Sequence, residues 1–214
     1  MINKAQRFWD KQAKKFDGNE KNYELASQEL IARTKGYLNA NDNVLDFGCA
    51  TGTKTLELAG WSKQIHGLDF SAEMIGEAVK KRDDLKVKNV SFSQGTIYID
   101  ELEKASFEKI IAFAIIHLLE DSEKVIQRIN ELLKPGGLFI STTACFREKM
   151  DFKTRLEFTV YRFMKGLGTF PLHLNMYRTS DIEKLIRMQN FNIIKAEKLF
   201  FNGMTLSFIV AEKY

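Results

Sequence analysis

A chain of 214 residues, 44% hydrophobic and 28% charged with only two prolines, has the composition of a single globular domain with a substantial core. Two cysteines, Cys49 and Cys145, and three scattered histidines are too few for a disulfide framework or a metal centre, so no metal is expected. The net charge of +4 is mild, and it excludes the strongly basic balance of a dedicated nucleic-acid binder.

The first residues lack the apolar core of a signal peptide, and cytoplasm is the expected compartment. Tyr23, Ala26, Leu30, Thr34 and Tyr37 recur at helical spacing and predict a helix from Glu20 to Leu38. Residues 1–38 form an N-terminal helical cap on a single domain spanning 1–214. A strand follows at Asn43–Phe47, a helix from about Thr53, and a second strand at Gln64–Asp69. Ser71 is placed to cap a helix running through Met74, Ala78 and Lys81. Strands are predicted at Val90–Ser93 and Lys109–Ala114. The run Ile110–Ile116 that contains the latter is the longest apolar stretch, far short of the roughly 20 residues of a membrane helix.

Asp121 begins a helix with Val125, Ile129, Leu132 and Leu133 on its buried stripe, and Pro135-Gly136-Gly137 ends it before a strand at Leu138–Thr143. The alternation then breaks. Asp151–Leu167 is helical, with Phe152, Leu156, Val160, Phe163 and Leu167 on the stripe expected to pack on the domain. Thr179 or Ser180 caps a further helix. Strands at Asn192–Phe201 and Met204–Lys213 are joined by Asn202-Gly203, whose tolerance of positive φ marks a two-residue hairpin. The fold class is therefore α/β: a Rossmann-like three-layer sandwich whose mostly parallel, seven-stranded sheet ends in an antiparallel hairpin.

The richest segment is Asp46-Phe47-Gly48-Cys49-Ala50-Thr51-Gly52, just after the first strand. Glycines there let backbone N–H groups approach a ligand at the start of the next helix. Asp46, two residues before Gly48, would serve a pyrophosphate poorly and a ligand bearing an ammonium group well. Asp69 ends the second strand 23 residues later, about where a ribose-binding acid stands, and its two oxygens can accept both ribose hydroxyls.

Asp46–Gly52, Gly67-Leu68-Asp69-Phe70-Ser71 and Leu133-Lys134-Pro135-Gly136-Gly137 resemble three successive motifs of class I S-adenosylmethionine-dependent methyltransferases. The resemblance is strongest to the small-molecule branch related to ubiquinone and menaquinone methylation. It implies S-adenosylmethionine as cofactor and S-adenosylhomocysteine as product. Asp46, Gly48, Ala50 and Gly52 would line the methionine half, Asp69 would hold the ribose, and Phe70 would lie on the adenine face. Thr96 and Ile97 would meet the adenine edge, and Ala112 would lie near the transferred methyl.

Three residues depart from the family pattern. Ala50 replaces the middle glycine, so its backbone must avoid positive φ or bear strain. Thr96 stands for an aspartate, and Phe16 for a tyrosine. Relatives methylating base amines carry Asn or Asp, two prolines and an aromatic there, whereas Ala112-Phe113-Ala114-Ile115 has no polar side chain and no proline. A small organic acceptor, methylated on O, N or C by in-line displacement, is therefore expected, and nucleic acid is not.

His117, matching a histidine of small-molecule relatives, and His173 are the candidate bases. The aromatic segment 145–178 reads as a helical lid insertion, with Phe158, Tyr161 and Tyr177 facing the acceptor or a subunit contact in a monomer or homodimer. The alternatives are an RNA or protein methyltransferase, suggested by basic stretches up to Lys35 and from Arg147 to Lys165, and a non-catalytic S-adenosylmethionine-binding protein.

Overall fold

The computed structural model describes residues 4–20, 24–166 and 172–214. Two helices, α1 (Lys4–Glu20) and α2 (Glu24–Lys35), precede the sheet. They are followed by β1 (Asn43–Phe47), α3 (Thr53–Leu58), β2 (Gln64–Asp69), α4 (Ala72–Asp84), β3 (Val90–Gln94), β4 (Phe107–Phe113) and α5 (Ser122–Leu132). The chain closes with β5 (Leu133–Ala144), α6 (Phe152–Gly166), α7 (Thr179–Met188), β6 (Phe191–Phe201) and β7 (Met204–Lys213). Strand order is β3-β2-β1-β4-β5-β7-β6, with β7 antiparallel to both β5 and β6 and the other pairings parallel. This is the expected fold class. Among the described residues no helix is long and apolar enough to cross a membrane.

Side-chain alternation feeds two cores from the same strands. Leu45, Ile110, Phe139 and Ile209 face one core with Ile126 and Ile129 of α5 and Ile182 and Ile186 of α7. Their neighbours Val44, Ile111, Ile140 and Val210 face the other, with Leu30 and Ile31 of α2 and Leu56 and Leu58 of α3. The near-continuous apolar runs of β4 and β5 follow from this burial on both faces.

The structure departs from the sequence reading at five places. Helix α1 was not anticipated as an element of its own, although Ala5, Trp9, Ala13 and Phe16 lie at helical spacing; Ala13 is buried. Tyr23 lies outside the described residues, and Tyr37 lies beyond the end of α2. Extended backbone resumes at Leu133, not Leu138. Leu133 pairs with Phe107, and the Pro-Gly-Gly segment is a detour between two paired stretches, with a register shift on the facing strand. Thr179 is the first helical residue of α7, after the cap position at Arg178; Asp181 accepts the Arg178 N–H (2.7 Å), while the Thr179 hydroxyl donates to Glu148.

The fifth departure is α6. Its stripe of Phe152, Leu156, Val160 and Phe163 faces solvent, Phe152 being 84% exposed, and Leu167 lies outside the described residues. The opposite face is the docked one: Phe158 is buried and stacks on Phe146 at 4.6 Å between ring centroids. Asp151 caps the helix by accepting the Thr154 N–H (2.7 Å). The Asp151 N–H and the Thr154 hydroxyl donate to the Gly203 and Asn202 carbonyls at the tip of the β6–β7 hairpin.

Gly52 turns the chain from β1 into α3 with φ +73°, and a Cβ there would come within 2.6 Å of the Phe92 ring and 2.9 Å of Ala78. Gly52→Ala is therefore expected to destabilise the ligand-free protein by about 2–4 kcal/mol, from left-handed strain plus overpacking. Urea unfolding checks this: the midpoint falls with an unchanged slope.

Candidate functional site

The parallel strands diverge in order between β1 and β4, and the crevice beyond their carboxyl ends is where ligands of open α/β sheets bind. A single cavity of about 640 Å³ occupies it, within the range of small-molecule sites.

One end is built on the turns after β1 and β2. The Gly48 and Cys49 N–H groups both donate to the Leu68 carbonyl, which draws the first turn under the end of β2. Gly48, Ala50 and Gly52 all take positive φ, at 77°, 49° and 73°. Ala50 thus bears the left-handed strain, and its N–H is held by Asp69 Oδ2 at 3.0 Å. Asp69 Oδ1 accepts the Ser71 N–H at 2.9 Å, while the Ser71 hydroxyl caps α4 by accepting from Met74. Asp46 is buried at the end of β1 and accepts the Thr55 hydroxyl at 2.6 Å. Burial pushes its carboxyl up to about 6, against the Thr55 hydrogen bond, and the nearby Asp69 charge adds to the rise. Burial also raises Asp69, opposed by the N–H groups of Ser71 and Ala50.

Helix α1 roofs this end, with Ala5, Trp9 and Phe16 lining the cavity. It is tied down at two acids. Asp10 accepts the Ser71 hydroxyl at 2.6 Å. Asp17 accepts the Thr51 and Thr53 hydroxyls at 2.6 and 3.2 Å and pairs with Lys81. Partial burial alone would raise the Asp17 carboxyl, but Lys81 and the hydroxyls bring it below its ordinary value.

The other end is apolar. Phe113 ends β4, Ala114 and Ile115 follow it, and Phe146, Leu172, Phe201, Met204 and Leu206 complete the wall. His117 lies in a 3-10 turn (Ile116–Leu118), buried, with its ring edge-on to Phe146 and its Nδ1 without a hydrogen-bond partner among the described residues. Burial lowers its pKa to about 4, so the ring is neutral near pH 7. Asn175 joins the two candidate histidines: its N–H donates to the His117 carbonyl (2.7 Å), and its side-chain oxygen lies 2.9 Å from His173 Nε2.

Among the residues singled out from sequence, Asp46, Gly48, Ala50, Asp69, Phe70, Thr96, Ile97, His117 and His173 all line the cavity. Gly52 and Ala112 do not. Gly52 sits against Phe92 and Ala78, and Ala112 is fully buried because it falls on the β4 face that packs into the core with Leu45 and Ile110. Of the lid candidates, Phe158 lies behind Phe146, and Tyr161 is exposed on α6. Tyr177 packs on the core with its hydroxyl 2.6 Å from that of Ser122. The wall residues Phe201, Met204 and Leu206 were not anticipated, since hairpin patterning alone does not show that its tip reaches the crevice. Asp10 and Asp17 lie in Phe8-Trp9-Asp10 and Phe16-Asp17, segments that extend the family resemblance only loosely and carry no signal of a role in holding α1.

Residues 38–201 match the family described as Methyltransferase domain. The demethylmenaquinone methyltransferase of Lactococcus lactis is 28% identical over 171 residues, 73% of this chain and 68% of that one. The phosphoethanolamine N-methyltransferase 2 of Caenorhabditis elegans is 28% identical over 141 residues, 64% of this chain, and the chain spans only 32% of its length. Among solved structures, Haemonchus contortus phosphoethanolamine N-methyltransferase 2, in complex with phosphomonomethylethanolamine and S-adenosylhomocysteine, shares the fold. Its TM-score is 0.70 at 18% identity, over 87% of this chain and 53% of that one.

The raised Asp46 carboxyl has a consequence for stability. Its folded value lies above the unfolded one, so its contribution is fully present below about pH 4 and is lost as pH rises through about 6. Asp46→Asn should accordingly stabilise the ligand-free protein at pH 7, by up to about 3 kcal/mol for a shift of about two pH units. Unfolding of both proteins from pH 4 to pH 7 should show their difference growing with pH; a constant difference would refute the burial effect.

Proposed function

This chain belongs to the family of S-adenosylmethionine-dependent methyltransferases, and we propose that its cavity places that donor against a small, largely apolar methyl acceptor. The residues present suit the donor. Asp46, a buried acid held well above its ordinary pKa, is matched to the methionine ammonium. Each oxygen of Asp69 accepts one backbone N–H and retains a lone pair for a ribose hydroxyl. At Gly48 a Cβ would meet Ile115, so only glycine keeps that surface open. Phe70, Thr96 and Ile97 border the space for the adenine.

When bound, the donor supplies an electrophilic methyl on a cationic sulfonium, and the protein's work is alignment and exclusion of water. Trp9 and Phe16 on α1 close the donor end, and Phe146, Leu172 and the hairpin residues close the acceptor end. His117 borders the acceptor end with a buried, neutral ring. With a pKa near 4 it is a poor base at neutral pH, so it orients an acceptor hydroxyl or amine by hydrogen bonding. His173, set by Asn175, is the second polar group beside it.

The observation that carries the acceptor class is charge. Among the described residues lining the cavity, Lys54 is the one lysine or arginine, and the acceptor end is almost wholly apolar. A phosphate-bearing acceptor would be buried there without a counter-ion, at a cost of several kcal/mol. A phenol or quinol with an apolar body is complemented. This favours an acceptor chemically like the one named by the Lactococcus lactis relative over that named by the Caenorhabditis elegans relative.

Labelled-methyl transfer to a panel of alkyl-substituted phenols and quinols, with phosphoethanolamine alongside, tests this. Turnover is expected only with the former, and comparable kcat/KM on phosphoethanolamine would overturn the acceptor class. The donor assignment has its own readout. Pairing with the ammonium requires ionised Asp46, so affinity for S-adenosylhomocysteine should fall as pH drops through about 6, by up to about tenfold per unit. Asp46→Asn should flatten that profile in calorimetric titration.

A further inference from the structure

The exposed stripe of α6 has a docked counterpart. Phe152, Leu156, Val160 and Phe163 fall on one face, and Phe152 and Phe163 are 84% and 69% exposed. The helix is not loosely placed: its first turn is bonded to the hairpin tip, and Phe158 on the reverse face stacks on Phe146. The apolar stripe is therefore held outward by specific contacts. Its helix carries four basic residues, Lys153, Arg155, Arg162 and Lys165, against one acid, Glu157. Exposed Arg147 and Lys149 precede it, and the Lys149 ammonium lies over the ring of half-exposed Phe200 at 5.4 Å.

We propose that α6 seats this protein on an anionic lipid surface, lying in the plane of the interface with its aromatic stripe inserted. A basic amphipathic helix with Phe and Leu on its apolar face has the composition for that position, and its charge is complementary to acidic headgroups. The same charge argues against a second copy of the chain. A two-fold contact through this face would bring together two copies of a helix whose sequence carries a basic excess. The location gives the docking a purpose, and here the inference rests on the apolar acceptor proposed above. Phe146 is at once the partner of Phe158 and part of the cavity wall, and the hairpin that holds α6 supplies Phe201 and Met204 to that wall. A helix seated on lipid stands beside the apolar end of the cavity, where an acceptor dissolved in the bilayer can enter.

Flotation of the full chain with vesicles of phosphatidylcholine containing about 30 mol% phosphatidylglycerol tests the docking without any methyl transfer, so its failure is separate from failure of the acceptor class. Binding is expected to the mixed vesicles, weakly or not at all to phosphatidylcholine alone, and to decline with added salt. The double variant F152S/F163S should bind at least about tenfold less and K153E/R155E should lose the preference for anionic lipid, while both keep the thermal stabilisation by S-adenosylhomocysteine that reports a folded donor site. Absence of binding to the mixed vesicles, or binding unchanged in both folded variants, overturns the proposal. A dimer in solution that F152S/F163S converts to monomer also overturns it, because the stripe is then a self-contact.

Discussion

One buried carboxylate joins the turns on which the site is built. Asp69 takes the Ala50 N–H on one oxygen and the Ser71 N–H on the other, and so ties the loop after β1 to the first turn of α4. Ala50 occupies a left-handed conformation that a residue with a Cβ adopts at a cost, and the hydrogen bond to Asp69 offsets part of it. Ser71 in turn caps α4 and meets Asp10 of α1. Loop, helix start and roof helix are thus connected through two adjoining side chains, Asp69 and Ser71.

The same region concentrates unfavourable charge. Asp46 and Asp69 are both buried, each raises the cost of ionising its surroundings, and the Cys49 thiol beside them is pushed well above its ordinary value, first by burial and then by the two acids. A protonated, buried thiol is chemically inert. For the carboxylates the consequence is opposite: a site that holds excess negative potential when empty gains when a cation enters, because the unfavourable field is then neutralised.

Much of this was legible in the sequence because local chemistry and tertiary role agree. The acid at the end of β1, the acid at the end of β2, the Ser71 cap and the Asn202-Gly203 turn each have a short-range cause, and the chain places each where that cause predicts. What escaped depends on long-range packing. Periodicity identified the two faces of α6 but not which one docks, since that is decided by Phe146 and the distant hairpin tip. Ala112 falls on the β4 face that packs against the core, a choice of face that the apolar run Ile110–Ile116 does not reveal. Gly52 serves packing against Phe92, a contact made across 40 residues of chain. The apolar stripe of α1 is diluted by Lys11, Lys14 and Lys15, which cover its outer side.

The cavity draws its lining from both halves of the chain, with the terminal hairpin in one wall. In the proposed arrangement every donor contact comes from residues before Tyr98, whereas the acceptor wall is drawn from residues after Lys109, the last of them on the hairpin. Substitutions at Phe201, Met204 or Leu206 can reshape the acceptor end while leaving the two acids and their turns untouched. On the proposed reading the fold is modular: its first half would hold the reagent, and its second half would shape what that reagent meets.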